Sequence, residues 1–438
     1  MKKLLNQSSD ITRRNFAVQA ASTFLGVGLA PGLGGRLFGA DDRPFEAGKG
    51  ASNLRQAATA KRVIYLYMSG GMSHLDTFDP KPGAETMGPT KAIDTNVAGV
   101  QISEYLPKLA KKANLMNIVN SMLSASGAHE QANYLIHTSY ALRGTIKHPA
   151  MGAWLLKFKD RLNPTLPGSV VIGGGSRHPG GGFFEAKFAP LLVNNPAAGL
   201  QNVKARFAEN DFDFRYGLSQ ELAGEFRQRY QEVKGVRAYT EMYDDAVTLM
   251  KSADLSAFDL TQESDAVRKS YGEGNFGQGC LLARRLVEND VRFVEVNLGS
   301  WDTHTSNFVR TPELCQQLDQ GFAALLGDLE SRGLLNDTLV VLASEFGRTP
   351  KINQNVGRDH YPQAFSGVLA GGGIVGGRKW GKTDATGENV VEDAVSVFDF
   401  NATIAYALGL PLDQVLYSPS KRPFTVAAKG QPVVGMFS

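Results

Sequence analysis

Residues 311–350 read TPELCQQLDQGFAALLGDLESRGLLNDTLVVLASEFGRTP. Leu314, Leu318, Phe322, Leu325 and Leu329 recur at three- and four-residue steps, which puts them on one apolar helical face. Thr311 as N-cap, Pro312 at the first helical position and Glu313 behind it predict where that helix starts. Gly333 predicts where it stops. Thr338–Ala343 (TLVVLA) is apolar without interruption, as a strand covered on both faces of a parallel sheet is. Glu345 follows almost at once. A carboxylate there is costly unless it is solvated, paired or metal-bound, and Arg348 is the plain partner.

The same reading extends outward. Lys61–Met68 (KRVIYLYM), Asn117–Met122, Ser169–Ile172 and Val291–Asn297 read as further strands. Helices are expected over Ser103–Ala113, His129–Leu142 with Gly144 just past its end, Gln220–Met250, Gly277–Asn289 and Val397–Leu408. Pro179 to about Asn210 and Gly367–Gly377 read as glycine-rich loops. Strands alternating with helices predict an α/β fold: a doubly wound, mostly parallel sheet with helices on both faces. Residues 61–438 are expected to form one domain with a loop-rich insertion or flap over about 175–260.

Composition narrows the function. The chain has 438 residues, 46 Lys plus Arg against 43 Asp plus Glu, and two cysteines. Near-balanced charge argues against nucleic acid as a partner, and two cysteines cannot frame a disulfide scaffold. Cys280 and Cys315, both in helix-like segments, read as buried thiols. The basic surplus sits in residues 1–40, where Lys2, Lys3, Arg13, Arg14 and Arg36 face only Asp10. Thr12-Arg13-Arg14-Asn15-Phe16 before a weakly apolar Ala/Gly run reads as a twin-arginine signal peptide over 1–40, cut between Ala30 and Ala40, with a linker over 41–60. The twin-arginine export machinery is then a partner and the location periplasmic or extracellular. The run is too diluted for a membrane anchor, so no integral span is expected in the mature chain.

In such sheets ligands bind at the carboxyl ends of the strands. His74, Asp76 and Asp79 follow the first strand; Ser124, Ser126 and His129 follow the second; Asp302 and His304 lie in SWDTH; Ser344, Glu345 and Arg348 lie in SEFGRTP; His360 lies in GRDHYP. Carboxylates and imidazoles suit divalent metals. Each also has an ordinary reading, as a turn-capping Asp or a surface His, and Asp79 before Pro80 reads as turn capping. His129, Asn133 and His137 share one helical face. HEQAN misses the zinc-protease pattern H-E-x-x-H because Asn133 stands at its second His. The glycine runs match neither a P-loop nor a dinucleotide fingerprint.

Together TRRNF, GGMSHLDTFDPKPG, WDTH, SEFGRTP and GRDHYP resemble the domain-of-unknown-function 1501 family of exported bacterial proteins, a family similar to the alkaline phosphatase and sulfatase superfamily. The resemblance implies an alkaline-phosphatase-like fold and a divalent metal ion (Zn, Ca, Mg or Mn). It places Asp302 and His304 at metal-ligand positions, Glu345 and Phe346 where an Asp-His ligand pair would stand, His360 at the last ligand His, and the nucleophile near Ser126 or His129. His74 or Asp76 would replace the first-strand Asp. No C-x-P-x-R or S-x-P-x-R run is present, which argues against a formylglycine sulfatase.

The expected function is a metal-dependent hydrolase of phosphate or sulfate esters acting on an anionic ester or glycan. Asp302, His304, Glu345 and His360, with His74 or Asp76, would hold the ion. Arg348 would stabilise anionic charge, and His129 would position or protonate the substrate. The alternative is a catalytically inactive binding protein on the same fold, recognising an extracellular glycan or a protein.

Overall fold

In a computed structural model of the chain, residues 58–203 and 208–438 are described; the twin-arginine signal and most of the linker lie outside them. Nine strands form the central sheet: β1 (Arg62–Met68), β2 (Met116–Leu123), β3 (Ser169–Ile172), β4 (Leu191–Val193), β5 (Phe293–Leu298), β6 (Thr338–Ala343), β7 (Phe365–Ala370), β8 (Arg378–Trp380) and β9 (Val395–Ser396). Their order is β8-β2-β7-β6-β1-β5-β3-β4, with β9 also on β2. Only β7 runs antiparallel to its neighbours β2 and β6; the other pairings are parallel. The longer helices are α1 (His129–Thr138), α2 (Met151–Lys159), α3 (Glu209–Arg229), α4 (Lys234–Lys251), α5 (Asn275–Glu288), α6 (Asn307–Ser331) and α7 (Val397–Ala407).

All six residues of β6 are buried. Its side chains alternate between two cores. Val340 and Leu342 join Ile64, Leu66, Val294 and Val296 under α5 and α6. Leu339 and Val341 join Val63, Tyr65 and Phe293 under α1, α2 and α7. The doubly wound α/β reading therefore holds. The predicted apolar face of α6 is buried along its length, from Leu314 to Leu329. Gly321 lets α6 press on α5, since a Cβ there would stand 3.1 Å from the Phe276 ring.

Local predictions fail where local signals compete with tertiary contacts. Helix α6 starts at Asn307, not Thr311, and takes Pro312 into its interior. The extra turn is anchored: Asn307 Nδ2 donates to Asp76 (3.0 Å), while Thr303 and Thr311 hydroxyls donate to Asn307 Oδ1. Helix α1 ends at Thr138, where Ser139 turns left-handed (φ 60°), rather than running to Leu142. The long 220–250 helix is two, α3 and α4, and the 103–113 segment is α-helical over Pro107–Ala110 alone, with a 3-10 turn starting at Ala113. Within 367–377, Gly367 belongs to strand β7. The loop expected over 179–210 supplies edge strand β4. Cys280 and Cys315 are free and buried.

Asp319, on the opening stretch, is buried and accepts from the backbone N–H groups of Lys108 (3.0 Å) and Leu109 (2.7 Å). It caps the short 107–110 helix from outside. Asp319→Ala is expected to lower stability by about 1–2 kcal/mol, the usual cost of losing an N-cap, and urea denaturation measures it.

Candidate metal centre

Register brings three strand ends together. Tyr67 on β1 pairs with Ala343 on β6, and Met68 pairs with Leu298 on β5. The chain leaves β1 through Ser69-Gly70-Gly71. Gly70 has φ +116° and a Cβ there would lie 2.6 Å from the Asp302 nitrogen, so only glycine permits this approach. Glu345, leaving β6, is wrapped by that turn. Its Oε1 accepts from Gly70 N–H (3.0 Å) and faces His129 Nδ1 (2.8 Å), and its Oε2 accepts from Tyr67 Oη (2.5 Å). Asn133 Nδ2 in turn donates to Tyr67 Oη (2.9 Å). Glu345 thus stands behind His129, with no ion pair to Arg348.

Arg348 pairs with Asp302 instead, Nη2 to Oδ1 at 2.5 Å. Its guanidinium is fully buried and also donates to the carbonyls of Gly70, Gly71 and Arg358. Four of the five N–H donors of an arginine are thereby spent on the protein. Burial pushes the Asp302 carboxyl up, but the Arg348 hydrogen bond and charge, helped by His129 and His304, bring it down to about 2.

Three imidazoles surround Asp302. His304 Nε2 lies 3.1 Å and His360 Nε2 3.3 Å from Oδ1, and His129 Nε2 lies 3.3 Å from Oδ2. The far nitrogen of each ring is committed. His129 Nδ1 meets Glu345 (2.8 Å), His304 Nδ1 meets Asp359 (2.7 Å), and His360 Nδ1 meets the Gly127 carbonyl (2.7 Å). A carbonyl or an ionised carboxylate can only accept, so each Nδ1 carries a hydrogen. In the neutral rings each Nε2 is then a lone pair, and all three face the Asp302 carboxylate.

Two further facts test the fit of a cation. His304 Nε2 and His360 Nε2 stand 2.9 Å apart, and two lone pairs at that distance repel unless a proton or a metal lies between them. His129 Nε2 is buried without a hydrogen-bond partner. Donor atoms of His129, Asp302 and His360 lie within 4.8 Å of one another. The 3.1–3.3 Å separations of the imidazoles from Asp302, with His304 and His360 at Oδ1 and His129 at Oδ2, and the 2.9 Å between His304 and His360 are of the size found between neighbouring donor atoms of an ion bound at about 2.0–2.1 Å. The residues fit a divalent metal, and the carboxylate or carbonyl behind each imidazole is the usual outer layer of such a site. The Glu345 hydrogen bond raises the His129 pKa against burial, whereas burial, with the Arg348 and His129 charges, lowers that of His360.

The remaining sequence candidates are placed elsewhere. Asp76 is fully buried and pairs with Arg358 Nε at 2.8 Å, with further bonds from Ser73, Thr90 and Asn307. His74, also buried, bonds the Gly387 carbonyl through Nε2 (2.8 Å). Ser126 Oγ accepts from Ala128 N–H. None of these three is brought into contact with the Asp302 group.

A second buried group escaped sequence reading. Glu295, in mid-β5, faces His137 Nε2 (3.2 Å) and His178 Nε2 (3.5 Å). His178 Nδ1 accepts from Gly180 N–H (3.0 Å), so its proton is on Nε2 and points at Glu295. With Nδ1 accepting, His178 is neutral and has no lone pair left for a metal; its Nε2–H faces Glu295, and His137 is the ring that can carry the ion pair. Burial opposes the His137 charge, but Glu295 outweighs it and raises the pKa; burial likewise opposes the Glu295 charge, and His137 and His178 lower its pKa. The one available signal was a glutamate inside an apolar strand.

The family described as "Protein of unknown function (DUF1501)" matches residues 60–437. The chain belongs to this family. No curated protein matches it. Among solved structures, it is similar to the lipoteichoic acid synthase LtaP from Listeria monocytogenes, at 9% identity and TM-score 0.41 over 82% of this chain and 75% of that one. It is similar to a Bacteroides thetaiotaomicron structure tied to the metabolism of multiple glycosaminoglycans, at 12% identity and TM-score 0.42 over 86% and 82%. It is similar to the alkaline phosphatase of the Antarctic bacterium TAB5, at 14% identity and TM-score 0.31 over 72% and 92%.

Proposed function

We propose that this DUF1501 protein is a metal-dependent hydrolase of phosphate or sulfate esters whose divalent ion is held by His129, Asp302, His304 and His360. The observation that carries the reading is the arrangement of tautomers: three imidazoles, each with its Nδ1 hydrogen taken from behind, turn their Nε2 atoms toward one ionised carboxylate. A bound ion there would polarise the ester oxygen and lower the pKa of a water nucleophile. Glu345 keeps the proton of His129 at Nδ1. Arg348 keeps Asp302 ionised and oriented, a positioning task in place of direct contact with substrate. Asp302 is about half exposed, so ester and water reach the centre from the solvent side.

Elemental analysis of protein purified without chelator tests this, paired with hydrolysis of 4-nitrophenyl phosphate and 4-nitrophenyl sulfate. The expected result is about one divalent ion per chain, with turnover that a chelator removes and added Zn²⁺, Mn²⁺, Ca²⁺ or Mg²⁺ restores. Folded protein that retains none of these ions after equilibration would rule the reading out. Stoichiometric metal without turnover would favour the binding-protein alternative. One observation points that way: among the described residues no Ser, Thr or Cys side chain hydrogen-bonds to the four proposed ligands.

Export is part of the same proposal. No described helix is long and apolar enough to cross a membrane. The Thr12–Phe16 motif supports twin-arginine export to the periplasm or beyond, with residues 61–438 as the working domain. Replacing Arg13 and Arg14 by Lys is expected to leave the protein in the cytoplasm, as cell fractionation would show.

A further inference from the structure

A cleft of about 920 Å³ opens beside the proposed centre, and His129 forms part of its wall. Three cations line it: Arg143, Lys147 and Arg177. All three are exposed, and no described carboxylate forms an ion pair with any of them. One acid, Glu130, shares the wall.

The fold builds this surplus from two separate elements. After Ser139 ends α1 in a left-handed turn, the chain doubles back, and Arg143 and Ile146 form an isolated antiparallel bridge that sets Arg143 and Lys147 on one small turn. Arg177 comes from the loop after β3 on the facing side. Unpaired cations around a concavity focus a positive potential and draw in anions. Base stacking is poorly served: among the described residues the lining holds no Phe or Trp, its Tyr134 is buried and bonded through its hydroxyl to His148, and its His129 and His178 face carboxylates.

We infer that this cleft is a second anion subsite, so that the substrate presented to the His129 centre carries at least one further anionic group, which Arg143, Lys147 and Arg177 bind. The inference rests on the hydrolase reading for what happens at the centre, but the binding itself does not. A sulfate or a phosphate group satisfies the same cations, and the test separates them.

Isothermal titration of the purified protein compares matched ligands: a disulfated against a monosulfated disaccharide of the same skeleton, and glucose 1,6-bisphosphate against glucose 1-phosphate. In at least one pair the two-anion member is expected to bind about 10-fold more tightly, and the advantage shrinks as salt rises and screens the exposed cations. Arg143→Ala, Lys147→Ala and Arg177→Ala are each expected to weaken the two-anion ligand about 3- to 10-fold, within the range of one charge-assisted contact, and to leave the one-anion ligand unchanged. Glu130→Gln, which removes the acid of the cleft, is expected to strengthen binding about 2- to 3-fold. An advantage in the sulfate pair alone, or in the phosphate pair alone, names the group; one in both makes the subsite a general anion site. Equal affinity within both pairs, or indifference to all three alanine variants, overturns the inference. An inactive protein that keeps the two-anion preference defeats the hydrolase reading and not the subsite. Turnover of 4-nitrophenyl esters without the preference does the reverse.

Discussion

Asp302→Ala should release the bound ion and lower kcat/KM on a 4-nitrophenyl ester by on the order of 10³-fold, about 4 kcal/mol of transition-state stabilisation. The size follows from its position. Asp302 is the carboxylate toward which His129, His304 and His360 all turn, at 3.1–3.3 Å. Removing it leaves three imidazoles and no negatively charged ligand, since the Glu345 and Asp359 carboxylates stand behind the rings at their Nδ1 atoms. Some stability should be lost with the partner of the buried Arg348, but less than for a fully buried pair, because Asp302 is about half exposed and admits solvent beside the guanidinium, which keeps its bonds to the Gly70, Gly71 and Arg358 carbonyls; metal and turnover are therefore read per folded chain. Glu345→Gln separates direct ligation from support. The amide oxygen can still accept from His129 Nδ1, so the expected loss in metal affinity is only about 10- to 100-fold, as for other outer-layer partners. If Glu345→Gln proved as damaging as Asp302→Ala, Glu345 would bind the ion itself. An Asp302→Ala protein that kept both metal and turnover would refute the centre as drawn.

The sequence made the frame legible where burial on both faces forced an unbroken apolar run. β6 and the leucine-rich face of α6 are such cases: Leu339–Ala343 is unbroken, and Leu314, Leu318, Phe322, Leu325 and Leu329 are all buried. Strand β7 was hidden because Gly367 carries no side chain to mark a strand and sits next to a true glycine turn. The start of α6 was hidden because its anchor is a distant one, the Asp76 carboxylate. The rule that ligands gather at strand ends singled out His129, Asp302, His304, Glu345, Arg348 and His360, which the structure brings together, and also His74, Asp76 and Ser126, which it places elsewhere. Which residues face the centre and which stand behind could not be read that way. Glu345 lies behind His129 and not beside Asp302 because the Gly70 turn folds over it, and a turn's direction is not written in residue type. Asp359 and Tyr67 went unnoticed for the same reason: they act through a neighbour, not through a motif.

Asp76 separates a structural from a metal-binding carboxylate most sharply. It and Arg358 are both fully buried, 2.8 Å apart, and Arg358 also donates to the carbonyls of Thr349 and Thr86. Asp76→Ala would leave a guanidinium in the interior with its charge uncompensated. Breaking one side of a buried pair costs about 3–5 kcal/mol, and here the Asn307 amide that starts α6 and the Thr90 hydroxyl lose their acceptor as well. The expected result is a large fall in the urea midpoint, with metal content per folded chain unchanged. Arg358→Met combined with Asp76→Leu should recover much of the loss, because removing both charges removes the desolvation cost along with the attraction. A carboxylate that served the ion would behave in the opposite way: Asp76→Ala would empty the centre at nearly constant stability, and the double variant would rescue nothing. The geometry favours the first outcome, since every oxygen of Asp76 is already met by a protein donor and neither faces the imidazoles of His129, His304 and His360.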